Sequence, residues 1–311
     1  ATCILGLTAL LAMPATAQTP DVEPLPHYPE HTLETVVVDS DTLAYLDTGG
    51  EGPPLLLVHG LGSNLSLWRD HIEPLSDTHR VVALDLPGFG VSSKHNVSGR
   101  MTDFAASVRG FVDALDLAPV TYTGVSMGGQ IGLTLALEAP DVVERLVLVS
   151  PAGIETFTDE QAEALRQTMT PAAIAGADSS AIRQNTAANF ASWSDSYAWL
   201  IEQRHALSER DDFDAYARAN AASVVGMVNE PVYDRLSSVQ HPTLVLYGTG
   251  DTLIPNPYLN PQWDTEAIAQ RAEETLPNAE VHMVEDAGHL LMVEQPDIFQ
   301  ERLQAFLSAQ K

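Results

Sequence analysis

The sequence predicts an α/β protein built on a mostly parallel sheet of about eight strands, with helices on both faces and a helical insertion after the sixth strand. Short, continuously apolar runs of strand length alternate with segments whose apolar residues recur at helical spacing. Such alternation is typical of parallel sheets with right-handed crossovers. The 311 residues, 45% of them hydrophobic, suffice for one large domain with an insertion.

Each strand and helix of the sheet region is assigned from local composition. The first two strands flank a polar turn at residues 39–41, and the later ones are apolar throughout, as expected of strands buried on both faces. The predicted strands span residues 35–38, 43–46, 54–58, 81–84, 119–123, 146–150, 243–247 and 281–284. The predicted helices of the sheet region span residues 64–75, 102–115, 131–139, 262–276 and 296–307.

The fifth strand leads into Gly124-Val125-Ser126-Met127-Gly128, which fits the G-x-S-x-G pattern of a nucleophile elbow. In such a turn a strained backbone lifts the Ser126 hydroxyl clear of the sheet, and small flanking residues let neighbouring backbone approach. The Met127 amide, at the start of the following helix, then points toward a developing oxyanion. By itself the pattern also fits a glycine-rich turn with an inert serine.

Other candidate functional residues directly follow strands, and the carboxyl ends of parallel strands meet at one edge of the sheet. The loop 59–62 follows the third strand, and the Leu61 amide is the candidate second oxyanion donor. Asp251 follows the seventh strand and His289 the eighth. We expect His289 to act as the general base for Ser126, with Asp251 orienting its imidazole.

Three further residues compete for these roles. His59 is an alternative base, but we interpret it as a structural histidine that holds its own loop. Asp85 is an alternative acid, but aspartate beside proline and glycine usually fixes its own turn. Asp234 is the next candidate acid if Asp251 does not serve.

The segment between the sixth and seventh strands lacks strand signals and is expected to form a cap that excludes water and shapes the substrate pocket. Trp193, Tyr197, Trp199 and Phe213 are concentrated in this segment, where they either shape the pocket or only pack the cap onto the rest of the domain. The helices predicted in it span residues 159–169, 181–190 and 196–227, the last with interruptions. The predicted division is 1–17 as signal peptide, 18–153 with 237–311 as core, and 154–236 as cap.

The first residues resemble a secretory signal peptide, although the basic segment that usually precedes the apolar run is missing. Residues 4–13 are apolar, and Pro14-Ala15-Thr16-Ala17 supplies a cleavage site. The run is too short to span a membrane, and Cys3 precedes it, unlike the cysteine of a lipoprotein anchor. We therefore expect a soluble exported protein, periplasmic or extracellular, cleaved near Ala17, with residues 19–29 as an extended linker.

The formal net charge is −27, and lysine occurs only at Lys94 and Lys311. A surface this acidic repels nucleic acid and anionic lipid, so neither is an expected partner. The charge favours adaptation to high salt, where screening relieves self-repulsion, and the alternative is an ordinary acidic exported protein.

No metal or organic cofactor is expected. Cys3 is the only cysteine, so the chain offers no thiol nucleophile and no cysteine metal site. Five histidines without ligand spacing are interpreted as surface residues: His27, His31, His71, His79 and His95.

Taken together, five stretches resemble the α/β-hydrolase superfamily, in the capped branch of esterases, lipases and carbon–carbon bond hydrolases. They are His59-Gly60-Leu61-Gly62, Asp85-Leu86-Pro87-Gly88-Phe89-Gly90, Gly124-Val125-Ser126-Met127-Gly128-Gly129, Gly248-Thr249-Gly250-Asp251 with Ile254-Pro255, and Ala287-Gly288-His289 with Glu294-Gln295-Pro296. The resemblance implies the α/β-hydrolase fold and hydrolysis through an acyl-enzyme. Haloalkane dehalogenases and epoxide hydrolases of this superfamily use an aspartate nucleophile, so Ser126 argues against both.

The favoured function is hydrolysis of a small-molecule carboxylic ester, as in a carboxylesterase or a lipase. One alternative is a carbon–carbon bond hydrolase of ring-cleavage diketones, although those enzymes are usually cytoplasmic. A second is perhydrolase or cofactor-free haloperoxidase activity. A third, a non-catalytic binder, is disfavoured because Ser126, Asp251 and His289 are all present. The sequence leaves acyl chain length and oligomeric state open.

Overall fold

The computed structural model describes residues 23–95 and 97–309, so the predicted signal peptide and Cys3 lie outside the described residues. Eight strands form one sheet in the order β1-β2-β4-β3-β5-β6-β7-β8. Strand β2 is antiparallel to both β1 and β4, and β3 to β8 run parallel. The strands are β1 Leu33–Val38, β2 Asp41–Asp47, β3 Pro54–Val58, β4 Arg80–Leu84, β5 Val120–Val125, β6 Val143–Val149, β7 Thr243–Gly248 and β8 Ala279–Val284. The predicted α/β fold class is confirmed.

Helices cover both faces of this sheet. A hydrophobic cluster lies on each face of the sheet. Helices α2, α3 and α9 pack on one face, and α1 and α11 pack on the other. The helices are α1 Arg69–Ser76, α2 Met101–Ala114, α3 Met127–Glu138, α4 Asp159–Thr168, α5 Pro171–Ala175, α6 Ser179–Ala187, α7 Ala198–Ser208, α8 Phe213–Asn229, α9 Thr265–Thr275, α10 Leu291–Glu294 and α11 Pro296–Ala309. Because strand carboxyl ends of β3 to β8 share one edge, the loops that follow them meet there.

Side-chain caps explain where two helices begin. The helix predicted from residue 64 starts as a 3-10 turn at Leu65, because the Asn64 side chain accepts a hydrogen bond from the Ser66 amide at 3.0 Å. The helix predicted from residue 262 begins only at Thr265, where Asp264 accepts from the Ala267 amide at 2.8 Å.

Residues 154–236, all of which the structure describes, contain helices α4 to α8 and no strand. Helix α4 begins with a reciprocal capping box between Thr158 and Gln161. The prediction of a helical insertion after the sixth strand is therefore confirmed, although the short helix α5 was not predicted.

Aromatic residues of the insertion form two groups. Tyr197 stacks on Phe190 at 4.1 Å between ring centroids, and Trp193 packs edge-on against both rings. Phe213 instead stacks on Tyr216 at 5.7 Å, with the Arg204 guanidinium above the pair.

The prediction of an extended linker at residues 19–29 is wrong for residues 23–29, the part that the structure describes. Leu25 is buried, the Tyr28 hydroxyl donates to the Asp85 carboxylate at 2.7 Å, and the Gln203 amide donates to the Pro26 carbonyl at 2.6 Å. The segment is irregular, as its prolines predict, but it packs against both the sheet region and helix α7.

Across the described ranges, none of the helices combines the length and the apolar character needed to cross a bilayer.

Candidate active site

Ser126 occupies a strained turn between β5 and α3. Its φ of 56° and ψ of −118° lie where non-glycine residues rarely occur, a conformation that costs about 1–3 kcal/mol. The Ser126 amide donates to the Val149 carbonyl at 2.9 Å, and the Ser126 carbonyl accepts from the Gly129 and Ala152 amides. These bonds from neighbouring segments hold the turn, so the strain is imposed by the fold around it.

The loop after β3 packs directly against this turn. A Cβ placed on Gly60 would lie only 3.2 Å from the Ser126 Cβ and 3.2 Å from the Val125 carbonyl oxygen. Glycine therefore permits the approach, and it brings the half-buried Leu61 beside the serine turn. Met127 is the first residue of α3, where helix amides have no acceptor within the helix and the macrodipole is positive.

The structure brings Asp251 and His289 into contact. His289 Nδ1 and Asp251 Oδ2 are 2.9 Å apart, and neither side chain is more than 6% exposed. Asp251 Oδ1 accepts from the Leu253 and Ile254 amides at 2.8 and 3.1 Å. Because a carboxylate only accepts, this contact assigns the proton to Nδ1, and the neutral form of a ring held in this way has its lone pair on Nε2.

Ser126 lies at the same sheet edge, after β5, but within the described residues its hydroxyl makes no hydrogen bond to His289. Catalytic hydrogen bonds are often long in unliganded enzymes and tighten on substrate binding. The arrangement is thus a histidine oriented by an aspartate and a partly exposed serine at the same edge of the sheet.

His59 has the structural role that its position predicted. The buried ring donates from Nδ1 to the Gly60 carbonyl at 2.7 Å and accepts at Nε2 from the Leu86 amide at 3.1 Å. Burial lowers the pKa of His59 to about 4, so the neutral ring that these bonds require is the stable form. Both ring nitrogens are occupied, so His59 does not serve as a base for Ser126.

Asp85 holds its own loop, also as interpreted. Its buried carboxylate accepts from the Leu65 amide at 2.7 Å, the Val91 amide at 2.8 Å and the Tyr28 hydroxyl at 2.7 Å. Burial raises the pKa of Asp85 to about 6, and these three hydrogen bonds oppose that shift. Asp234, the reserve acid, is exposed in a 3-10 turn and does not contact His289.

Two glutamates that sequence reasoning did not single out support the Asp251 and His289 loops. Glu155 is buried and accepts from the Asn256 amide at 2.8 Å and the Asn260 side chain at 2.7 Å, which fixes the loop after Asp251. Burial raises the pKa of Glu155, and the negative charge of Asp251 adds to the shift.

Glu294 supports the His289 loop. It accepts from the Gly288 amide at 2.8 Å and from the Ala191 and Ser192 amides of the insertion at 3.1 and 3.0 Å. Its only sequence signal was its place in the Glu294-Gln295-Pro296 stretch, which indicated the family and no role.

In the described part of the chain, no group of three or more histidine, cysteine or acidic side chains has the geometry to hold a metal ion. One histidine interpretation is wrong: His71 is buried, not on the surface, because its Nε2 contacts the Met292 carbonyl at 2.8 Å and its ring packs against Phe299. The local sequence around His71 does not indicate that helix α1 packs against α11.

A mostly parallel sheet with a strained serine turn at its carboxyl edge, and a histidine paired with an aspartate at the same edge, is the arrangement found in α/β hydrolases. The family model for the alpha/beta hydrolase fold matches residues 53–296, and the chain belongs to this family.

Two curated relatives and one solved structure show the range of proteins that the chain resembles. The dihydrolipoyllysine-residue acetyltransferase component of the acetoin cleaving system of Pseudomonas putida is 30% identical over 266 residues, 85% of this chain but only 66% of that protein. The chain thus spans just under two thirds of that relative's length. The 2-hydroxy-6-oxo-2,4-heptadienoate hydrolase of Pseudomonas putida is 26% identical, over 84% of this chain and 91% of that protein. The crystal structure of a membrane phospholipase A, a bacterial virulence factor, superposes with a TM-score of 0.73 at 30% identity, covering 89% of this chain and 86% of that chain.

Proposed function

We propose that this protein is a serine hydrolase that cleaves carboxylic esters through an acyl-enzyme on Ser126. The observation that carries the proposal is the 2.9 Å contact between Asp251 and His289, at the same sheet edge as a serine held in a strained turn. A serine hydroxyl is a weak nucleophile until a neighbouring base removes its proton, and an oriented neutral imidazole is such a base.

The proposed reaction has two halves. In the first, His289 Nε2 takes the Ser126 proton while Oγ bonds to the ester carbonyl carbon, and the Leu61 and Met127 amides bind the oxyanion. The intermediate then expels the alcohol, which receives the proton from His289. In the second half, His289 activates water by the same route, and the acid leaves Ser126 free. This chemistry uses the side chains of the chain and requires no cofactor.

The insertion at 154–236 acts as a cap in this proposal. Its support is direct contact with the site loops: the Ala191 and Ser192 amides donate to Glu294, and the Thr252 hydroxyl donates to the Ala188 carbonyl at 3.0 Å. The loops that carry Asp251 and His289 are therefore both in contact with the insertion. A covering layer at this edge excludes water and selects the acyl group.

Among the similar proteins, the membrane phospholipase A supports an ester substrate at 30% identity, because the bond that a phospholipase A cleaves is a carboxylic ester. The heptadienoate hydrolase favours a second candidate function, carbon–carbon bond hydrolysis of a ring-cleavage diketone. Export of the chain and a saline habitat remain predictions of the sequence.

The test is hydrolysis of p-nitrophenyl esters from acetate to palmitate by the chain from Gln18 onward. Ser126→Ala is expected to abolish turnover. Ser150→Ala is the matched control, because Ser150 also follows a strand with a positive φ of 41°, yet its hydroxyl is buried and lacks a partner among the described residues. A folded wild-type protein that hydrolyses none of these esters but cleaves a ring-cleavage diketone would instead establish the second candidate function.

A further inference from the structure

The loop that carries the Leu61 amide is short and contains two glycines, so it has few side chains of its own to fix that amide. Gly62 adopts a φ of +72°, and the Ser63 amide reaches back to the Gly60 carbonyl at 3.3 Å. His59 Nδ1 donates to the same carbonyl at 2.7 Å, so both bonds hold the Gly60 end of the loop and neither holds the Gly62 carbonyl. An oxyanion donor must stay within about 0.5 Å and 10–20° of its working geometry, so a contact at the Gly62 end also bears on the Leu61 amide.

Helix α8 supplies that contact. The Tyr216 hydroxyl donates to the Gly62 carbonyl at 3.0 Å, and the Asn220 side-chain amide donates to the same hydroxyl at 3.2 Å. The two residues are four apart and so share a face of the helix. A Cβ on Gly62 would come within 2.9 Å of Asn220 Nδ2 and 3.2 Å of the Tyr216 hydroxyl, so this face lies directly on the loop.

The Tyr216 ring is itself fixed. It is 2% exposed, stacks on Phe213, meets Phe89 edge-on at 6.0 Å, and lies 5.1 Å below the Arg204 guanidinium. These contacts leave the hydroxyl a single direction, toward Gly62.

Both ends of α8 are anchored to the sheet region. At its start, Asp212 pairs with the buried Lys94 at 2.8 Å, and Lys94 also donates to the Gly90 carbonyl at 2.8 Å. At its end, the Gln130 side chain of α3 donates to the Met227 and Glu230 carbonyls at 3.1 and 3.0 Å. Helix α8 is therefore a fixed support.

We propose that Tyr216 is a positioning residue for oxyanion binding, which holds the Gly62 carbonyl so that the neighbouring Leu61 amide stays aimed at the oxyanion, with Asn220 orienting the Tyr216 hydroxyl. The inference rests on the proposed function, because it assigns a role in acyl transfer. It places a determinant of catalytic rate on the insertion, outside the residues that touch the ester.

The experiment compares Tyr216→Phe with wild type on the best p-nitrophenyl ester. It also measures affinity for an alkyl trifluoromethyl ketone, to whose carbonyl Ser126 adds to form a hemiketal oxyanion. The corresponding trifluoromethyl carbinol, which cannot form an oxyanion, reports ground-state binding. Tyr247→Phe is the matched control, because Tyr247 is equally buried and its hydroxyl has no hydrogen-bond partner among the described residues.

Loss of a direct oxyanion donor costs about 100- to 1,000-fold in kcat, so loss of its support is expected to cost about 10-fold, with KM within twofold. Ketone affinity should fall by the same factor, carbinol affinity should not change, and Tyr247→Phe should match wild type. If Tyr216→Phe is poorly folded, Asn220→Ala is expected to show the same pattern at about threefold, because it leaves the Tyr216 hydroxyl in place.

Unchanged kcat and ketone affinity in a folded Tyr216→Phe, or a rise in KM alone with a lower melting temperature, would overturn the inference and leave the serine mechanism standing. Turnover that persists in Ser126→Ala would instead overturn the proposed function, and the positioning role with it.

Discussion

Asp251→Asn tests whether the acid works by orienting the histidine. Asparagine is nearly isosteric, and its side-chain oxygen can still accept from the Leu253 and Ile254 amides, at 2.8 and 3.1 Å in the wild type. Its NH2 group then faces His289 Nδ1, which must become an acceptor. The imidazole proton moves to Nε2, and the ring can no longer take a proton from Ser126.

The opposite side-chain rotation would preserve the working tautomer but turn the NH2 group toward two backbone amides, the buried one of Ile254 and the part-buried one of Leu253. Leaving the buried Ile254 donor unsatisfied costs about 1–3 kcal/mol, and the part-buried Leu253 donor adds a smaller penalty. The tautomer change sacrifices no hydrogen bond, so it is the favoured outcome. We expect kcat to fall about 10⁴-fold, as when a triad aspartate is replaced by asparagine, which corresponds to about 5–6 kcal/mol.

The assay is steady-state hydrolysis of the best p-nitrophenyl ester, with thermal unfolding to verify that the variant is folded. Asp264→Asn is the matched control, because Asp264 is an exposed helix cap where asparagine serves equally well. A folded Asp251→Asn variant that kept more than a tenth of wild-type activity would refute the orienting role.

Three further outcomes are expected. His59 has its pKa lowered to about 4 from an ordinary 6.5, so the stability that its neutral form provides is complete above pH 6.5 and lost as pH falls toward 4. The free energy of unfolding falls by about 3 kcal/mol across this range. Chemical unfolding at several pH values should show that this part of the pH dependence is missing in His59→Gln. An equal pH dependence of the unfolding free energy in the two proteins would contradict this expectation. Glu294→Gln leaves one acceptor oxygen for three backbone amides, so kcat should fall about tenfold, and wild-type kinetics in this variant would exclude its support of His289. With a net charge of −27, the melting temperature should rise between dilute buffer and molar salt, and a salt-independent value would exclude the halophilic interpretation.

Strand and helix positions were predictable because local pattern decides them. The continuously apolar run at residues 54–58 became the fully parallel strand β3, and the helix predicted at 102–115 became α2, Met101–Ala114. Asp251 and His289 could be placed at one edge because parallel strands put their carboxyl ends together, and the structure brings them to 2.9 Å.

Contacts between distant segments were not predictable from local sequence. Glu294, Glu155 and Tyr216 each form hydrogen bonds with backbone groups. Because backbone carbonyls and amides are common to nearly all residue types, the sequence does not indicate such contacts. In the sequence, Lys94 is distinguished only as one of two lysines. In the fold it is buried against Asp212 and two carbonyls, which explains why a chain so poor in lysine has one at this position.

The most direct test of the account is the location of the acyl group. Wild-type protein mixed with excess p-nitrophenyl ester and quenched in acid within milliseconds is digested and examined by mass spectrometry. The account predicts a burst of p-nitrophenol and an acyl mass on the peptide that contains Ser126, both absent from Ser126→Ala. An acyl group on another residue, or full turnover in Ser126→Ala, would contradict it.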